Sequence, residues 1–207
     1  MQKITIGNQV EFEIPDGPAG LSFSSGIESS FLLYILAEQI SSPIHLFTVA
    51  MKSCDFHSLR HSTDIIQWVL EKTGNDNIIQ HVVIKDNHED GAGELYNLPL
   101  DFLENKHVVN SMMTGSNSMP SGDLKHMDKD SYFYKSRSPD VVRKINFREQ
   151  WYSPLTNLDK RQVADLYRHY NIMDLAHITN SCHIPYGEDP CGKCFSCEEK
   201  FLGFGFY

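Results

Sequence analysis

Two groups of residues have the types and spacing to do chemistry. Ser24-Ser25-Gly26-Ile27-Glu28-Ser29-Ser30 concentrates hydroxyls around one glycine. Hydroxyls donate hydrogen bonds and glycine lets backbone amides approach an anion closely, so this segment suits a phosphate or pyrophosphate. The blander alternative is helix capping by Ser24 or Ser25, with Glu28 complementing the helix dipole. The second group is Cys182-x8-Cys191-x2-Cys194-x2-Cys197, four of the five cysteines of the chain. Four closely spaced thiols are the ligand set of a tetrahedral structural zinc site, and Gly192 suits a tight knuckle between two of them. Four thiolates leave no open coordination position, so this metal is expected to staple the C-terminal segment rather than to catalyse. A redox dithiol and an iron–sulfur cluster are the rival readings.

The elements that must position these groups alternate along the chain. Lys3–Ile6 and Val10–Ile14 alternate polar and apolar residues around Gly7-Asn8, which predicts a β-hairpin. Gly20-Leu21-Ser22-Phe23 reads as a brief strand running into the serine loop, followed by a helix to about Gln39. Strands are expected at 44–50, 78–84 and 107–113, with helices at 58–72 and 94–105 between them. This alternation predicts an α/β fold with a twisted parallel sheet and helices on both faces. The serine loop then lies at the carboxyl end of the first sheet strand, where such folds hold ligands. Residues 114–139 read as a long loop, and Asp159 with Gln162 predicts a capped helix to about Tyr170, with Val163 and Leu166 inward.

With 207 residues, 41% hydrophobic and 22% charged, the chain is of a size for one good-sized domain with a substantial core. The longest apolar run, Phe31–Ala37, is too short to cross a bilayer, and the alternating N-terminus does not build a secretion signal. A cytoplasmic location with reduced thiols is therefore expected. A net charge of −9 opposes attraction to a phosphate backbone, so metabolite chemistry is expected over nucleic-acid binding. The basic run Lys135, Arg137, Arg143, Lys144 and Arg148 is read as solvated surface. Neither Gly-x-x-x-x-Gly-Lys-Ser/Thr nor Gly-x-Gly-x-x-Gly occurs, so an ordinary nucleotide triphosphatase or a dinucleotide enzyme is not indicated. Cys54 reads as a buried small residue, with a nucleophile as the alternative, and His57 and His61 as surface histidines.

Ser24-Ser25-Gly26-Ile27-Glu28-Ser29 resembles the Ser-Gly-Gly-x-Asp-Ser pyrophosphate (PP) loop of the ATP pyrophosphatase superfamily, with Ser25 in place of a Gly and Glu28 in place of the Asp. Ser153-Pro154-Leu155-Thr156-Asn157-Leu158-Asp159-Lys160, Thr179-Asn180-Ser181-Cys182, the Cys191–Cys197 cluster and Lys200–Phe204 are similar to the C-terminal half of the 7-cyano-7-deazaguanine synthases. Gly115-Ser116-Asn117 is similar to that family's Gly-x-Asn turn. The family's motif after its second strand is not reproduced at 49–57, and only fragments of the stretch after the turn survive, Asp123 among them.

The resemblance implies an adenine nucleotide alpha hydrolase-like, PP-loop core over residues 20–177, an N-terminal hairpin over 1–19 and a zinc-binding segment over 178–207, all within one domain. It implies a carbon–nitrogen ligase that adenylates 7-carboxy-7-deazaguanine with ATP, lets ammonia displace AMP, then activates the amide with a second ATP to leave the nitrile. Phe23, Ser24, Ser25, Gly26, Ser29 and Ser30 would surround the phosphates, Gly115 and Asn117 would approach the nucleotide, Glu28 would orient Mg2+ or water, and Lys160 would neutralise phosphate charge. A different acid, a tRNA base, or a silent nucleotide-binding relative are the alternatives. The aromatic tail 201–207 is compatible with a homodimer as well as with packing on its own domain.

Overall fold

The alternation at the N-terminus produces the first unit. The computed structural model describes residues 1–8, 10–51, 57–85, 97–121, 124–125, 127, 130–182 and 189–207. Strand β1 (Gln2–Ile6) pairs antiparallel with β2 (Val10–Ile14), and the ribbon buries Ile4, Ile6 and Ile14 while its polar alternates face outward. Cys54 and Asp123, and the side chain of His57, lie outside the described residues.

The central sheet follows from apolar strands; those at its centre are buried on both faces, the pattern of a covered parallel sheet, while Ile79, Val82 and Ile84 at one edge and residues 146–148 at the other are exposed. Its strands are β3 (Ala19–Ser22), β4 (Ile44–Met51), β5 (Ile78–Lys85), β6 (Ser111–Thr114), β7 (Asn146–Arg148) and β8 (Trp151–Tyr152). Their spatial order is β5-β4-β3-β6-β8-β7, all parallel except β7, which pairs antiparallel with β8 at one edge. Strand order reverses between β3 and β6: the chain runs outward from β3 to β4 and β5, then returns to pair β6 on the opposite side of β3. Such a reversal opens a crevice at the carboxyl ends of the two strands.

Helix α1 (Ile27–Gln39) leaves β3 through the serine loop and is buried from Ile27 to Ala37. That explains the Phe31–Ala37 apolar run: it is a helix enclosed on all sides, not one with a wet face. Helix α2 (His57–Thr73) packs Ile65 and Val69 into the same core. The helix expected over 94–105 is described from residue 97 and ends in a π-helical turn, Asp101–Asn105. His107 then adopts a left-handed conformation (φ 51°), which delays the strand expected from residue 107 to Ser111.

Residues 114–139 are irregular where described, apart from the short helix α3 (Tyr132–Ser136), whose N-cap Ser131 accepts from the Tyr134 N–H. Helix α4 (Lys160–His169) begins at the anticipated capping box, in which Asp159 accepts from the Arg161 and Gln162 amides and Gln162 returns a bond to Asp159. Val163 and Leu166 are buried. Two helices were not anticipated, α5 (Met173–Ile178) and α6 (Phe195–Phe204). Among the described residues, no helix is long and apolar enough to cross a membrane.

Candidate active site

The serine loop sits at the mouth of the crevice between β3 and β6. Phe23 is buried beneath it, and its N–H donates to the Phe47 carbonyl of the neighbouring strand (2.9 Å), continuing the sheet one residue past β3. Ser25 is in the left-handed region at φ 61°, where glycine is the unstrained residue, so the loop takes a glycine-type turn without a glycine at that position. The N-cap of α1 is Gly26, and no side chain caps the helix. The serine hydroxyls instead bind each other and the loop: Ser24 Oγ lies 3.2 Å from Ser29 Oγ, the Ser24 N–H donates to Ser29 Oγ (3.3 Å), and Ser29 Oγ donates to the Gly26 carbonyl (3.3 Å). The capping reading is therefore set aside. Ser24 Oγ accepts from the Gly26 N–H (3.4 Å), but among the described residues no side chain caps the first-turn amides of α1, and helix-end amides in that state bind anions.

The loop is fixed from three directions. Gly115, just past β6, packs so tightly on α1 that an added Cβ would lie 2.7 Å from the Ser29 nitrogen and 2.8 Å from the Glu28 Cβ. Only glycine fits this approach. On another side, Lys160 at the start of α4 forms a buried ion pair with Glu28, and the fully buried Tyr167 hydroxyl donates to the Ile27 carbonyl (2.7 Å). Burial, reinforced by the Glu28 charge, holds the Tyr167 hydroxyl well above its ordinary pKa, so it stays a donor. On the third side, the Asn180 N–H donates to the Ser25 carbonyl (3.0 Å), and Asn180 Oδ1 accepts from the Cys182 N–H (2.9 Å).

The expected site residues thus divide. Ser24 is exposed and Gly26 and Gly115 are half-buried, whereas Phe23, Ser25, Ser29 and Ser30 are enclosed, Ser25 and Ser30 completely, and the Ser30 hydroxyl has no partner among the described residues. Glu28 serves as the counter-charge of Lys160, not as an open carboxylate. Asn117 is buried with both amide atoms committed: Nδ2 donates to the Ser118 carbonyl (2.9 Å) and Oδ1 accepts from Arg137 Nη2 (2.6 Å). Arg137 in turn is clamped in two places by Glu199 (2.7 and 3.2 Å). The reading of the basic run as solvated surface holds for Lys135, Lys144 and Arg148, which are exposed, and is corrected at the buried Arg137 and the half-buried Arg143. Sequence reasoning missed Tyr167, Asn180, Arg137 and Glu199. Each acts across a long stretch of chain, and their polar neighbours in sequence gave no local signal that set them apart.

The four cysteines meet at the other end of this scaffold. Their sulfur atoms all lie within 4.8 Å of one another, all are free thiols, and Cys191 Sγ is 3.9 Å from Cys197 Sγ. A tetrahedral ion with sulfur ligands at ~2.3 Å separates those sulfurs by about 3.8 Å, so the donor set fits a single bound ion. A multi-iron cluster spreads its thiolates over different irons and needs a wider frame. The Lys193 and Cys194 amides both donate to Cys191 Sγ (3.3 Å each), turning about Gly192 at φ 64°. The Lys193 amide leads in lowering the Cys191 thiol to about 7, while burial leads in raising that of Cys197.

The asparagine synthase family model matches residues 13–114, from β2 through β6 and therefore through the serine loop, just under half of the chain. Among solved structures, NMN synthetase from Francisella tularensis superposes with a TM-score of 0.53 at 10% identity, covering 91% of this chain and 77% of that one. The match and the fold support the ATP pyrophosphatase superfamily. The U34-tRNA thiolase NcsA from Methanococcus maripaludis, solved with its 4Fe-4S cluster, gives a TM-score of 0.47 at 14% identity over 96% of this chain and 67% of that one. No curated protein matches the sequence. The matched residues include the turn after β3, where Ser24–Ser29 lies facing the Gly115 turn across the strand-order reversal.

Proposed function

We propose that the chain is an ATP-dependent synthase that adenylates 7-carboxy-7-deazaguanine and uses ammonia to form 7-cyano-7-deazaguanine. The observation that carries this reading is the uncapped start of α1 at the strand-order reversal, with Gly115 pressed against it. Amides aimed at an anion, held rigidly, stabilise charge on a leaving pyrophosphate without reorganising.

A carboxylate oxygen of the acid attacks the α-phosphorus of ATP, and the bond to the bridging oxygen of pyrophosphate breaks. The pyrophosphate leaves on the Ser24–Ser29 loop. Ammonia then attacks the acyl carbon, loses a proton, and expels AMP to give the amide. The amide oxygen attacks a second ATP in the same way, and loss of the two N–H protons with departure of AMP leaves the nitrile. Ser24, Ser25, Gly26 and Ser29 supply the loop's amides and hydroxyls, Phe23 and Ser30 support it from beneath, and Gly115 allows the nucleotide to approach. Asn117 shapes the same turn from within. Lys160 brings a cation to the first turn of α1 and Glu28 fixes its position; Glu28 holds the lysine instead of binding a metal. Magnesium enters with the triphosphate and screens its charge. Zinc is the ion we assign to Cys182, Cys191, Cys194 and Cys197, in a reducing compartment where the thiols remain free.

Purified protein given ATP, Mg2+, ammonium and 7-carboxy-7-deazaguanine is expected to release AMP and pyrophosphate only when the acid is present. Release of ADP and phosphate, or pyrophosphate release indifferent to the acid, would contradict the reading.

A further inference from the structure

The crevice between β3 and β6 has two walls, and one helix holds both. The serine loop is the first wall, and the turn at residues 115–117, pressed on α1 at Gly115, is the second. Consecutive residues of α6 reach one wall each. Lys200 donates to the Thr179 carbonyl (2.9 Å), next to Asn180, whose N–H binds the Ser25 carbonyl of the first wall. Glu199 grips Arg137, and Arg137 carries the second.

Arg137 does so with most of its hydrogen-bonding fork. Its Nε donates to the Asn117 carbonyl (2.8 Å), its Nη2 to Asn117 Oδ1 (2.6 Å) and to Glu199 Oε1 (2.7 Å), and its Nη1 to Glu199 Oε2 (3.2 Å). A planar guanidinium bonded in this way fixes both the position and the tilt of what it holds, which an ammonium on a flexible stem does not. The backbone closes the arrangement: the Arg137 carbonyl accepts from the Met119 N–H (2.7 Å) and from Ser118 Oγ (3.3 Å), and the Ser118 N–H donates to the Leu158 carbonyl (2.8 Å). Stability alone does not account for this pair. Glu199 is 2% exposed and Arg137 9%, and at such depth the desolvation of two charges offsets much of their attraction, so apolar residues of similar shape often serve a core as well or better. What apolar residues lack is direction. Arg137 spends its direction on Asn117, two residues from the tightest approach to the serine loop.

We propose that Arg137, aligned by Glu199, is a positioning residue for adenylation: it sets the 115–117 turn at the distance from the serine loop that admits the nucleoside end of ATP, and leaves the serine loop to its own supports at Tyr167, Asn180 and Lys160. The inference rests on the ATP-dependent function proposed above and deepens it by separating the residues that grip phosphate from those that admit the nucleoside.

Two ligands separate the walls. Pyrophosphate with Mg2+ is expected to engage the serine loop alone, whereas a non-hydrolysable ATP analogue must also pass the 115–117 turn. Both are titrated calorimetrically into the wild-type protein, into Arg137→Lys, which keeps the charge and loses the fork, and into the double variant Arg137→Met with Glu199→Leu, which removes both charges and nearly keeps the volume. Urea midpoints report folding, and the double variant is expected to stay near the wild-type midpoint or above it. In both variants the analogue is expected to bind about tenfold more weakly, the loss of about one hydrogen bond to a charged group, with pyrophosphate affinity held within about twofold. A pair that merely braced the fold would move both ligands together or, once replaced by apolar residues, neither. Parallel losses of the two ligands, or unchanged analogue affinity in a folded double variant, would therefore overturn the positioning role, and Arg137→Lys decides alone if the double variant does not fold. Selective loss of the analogue, in a protein whose wild-type form releases no acid-dependent pyrophosphate, would uphold the positioning role and overturn the proposed reaction instead. Wild-type protein that binds neither ligand would overturn both.

Discussion

Gly115 is the residue on which the geometry of the loop turns. Its missing side chain is what lets the turn after β6 touch the first turn of α1, and the atoms it would strike belong to backbone and Cβ, which cannot swing away. Gly115→Ala is expected to cost about 1–3 kcal/mol of stability and to weaken binding of a non-hydrolysable ATP analogue, read by urea denaturation and calorimetry; unchanged affinity would show that the loop does not meet the nucleotide. The Glu28–Lys160 pair makes a second prediction at this scale. Lys160→Met strands a buried carboxylate and is expected to destabilise by roughly 3–5 kcal/mol, whereas adding Glu28→Gln recovers much of that loss. Denaturation midpoints of the single and double variants check it, and simple additivity would contradict the pairing. The sequence carried the residue types of this loop but not their partners. Serines around a glycine could be read as anion-binding, yet Asn117 is taken up by Arg137, which Glu199 holds in turn, and nothing in a local window announces a bond across 62 residues.

Helix α6 links the cysteine cluster to the serine loop. Cys194 caps it and Cys197 lies in its first turn, while Glu199 holds Arg137, the Lys200 ammonium donates to the Thr179 carbonyl (2.9 Å), and Gly203 packs against the Lys160 backbone. Thr179 is followed by Asn180, whose amide binds the Ser25 carbonyl. Burial, followed by the Lys160 charge, brings Lys200 down to about 8, so this lysine depends on its carbonyl partner and its place in the helix. Removing the metal with a chelator is therefore expected to speed amide exchange in 195–204 and 178–182 and to weaken ATP-analogue binding, with far less change in β4 and β5. Uniform exchange throughout would contradict the link. Helix α4 was legible because Asp159 and Gln162 form a local capping box. The short strands β7 and β8 were not, since two or three residues are too few to display a period, and the cysteines concealed the helix that begins among them.

For the molecule as a whole, the sheet order gives the site its place, and one buried pair gives the fold a pH dependence. His45 and His81, on neighbouring strands β4 and β5, share a hydrogen bond of 2.8 Å and stack on each other, and His81 also stacks on Phe47 and meets Phe102 at a tilt. Burial leads in lowering both histidines, with the charge of His81 adding to it at His45 and that of Lys106 at His81. The unfolded chain, with ordinary histidines near ~6.5, binds more protons than the folded one below that value, so stability is full above it and falls as pH drops through it. The urea midpoint is expected to decline between about pH 7.5 and 5.5, and His81→Phe is expected to flatten that decline; an unchanged slope in the variant would contradict it. The α/β alternation was readable from the sequence, but the reversal of order between β3 and β6 was not, because pairing across a sheet is set by packing between segments that share no local signal.

The most direct test of the central claim, that the Ser24–Ser29 loop holds the phosphates of ATP while its α-phosphorus is transferred to an acid, is exchange of labelled pyrophosphate into ATP without ammonia. Exchange is expected only when 7-carboxy-7-deazaguanine is present, and it should fall sharply in Gly115→Ala. Absence of exchange in a protein that binds both ATP and the acid, or exchange that ignores the acid, would contradict it.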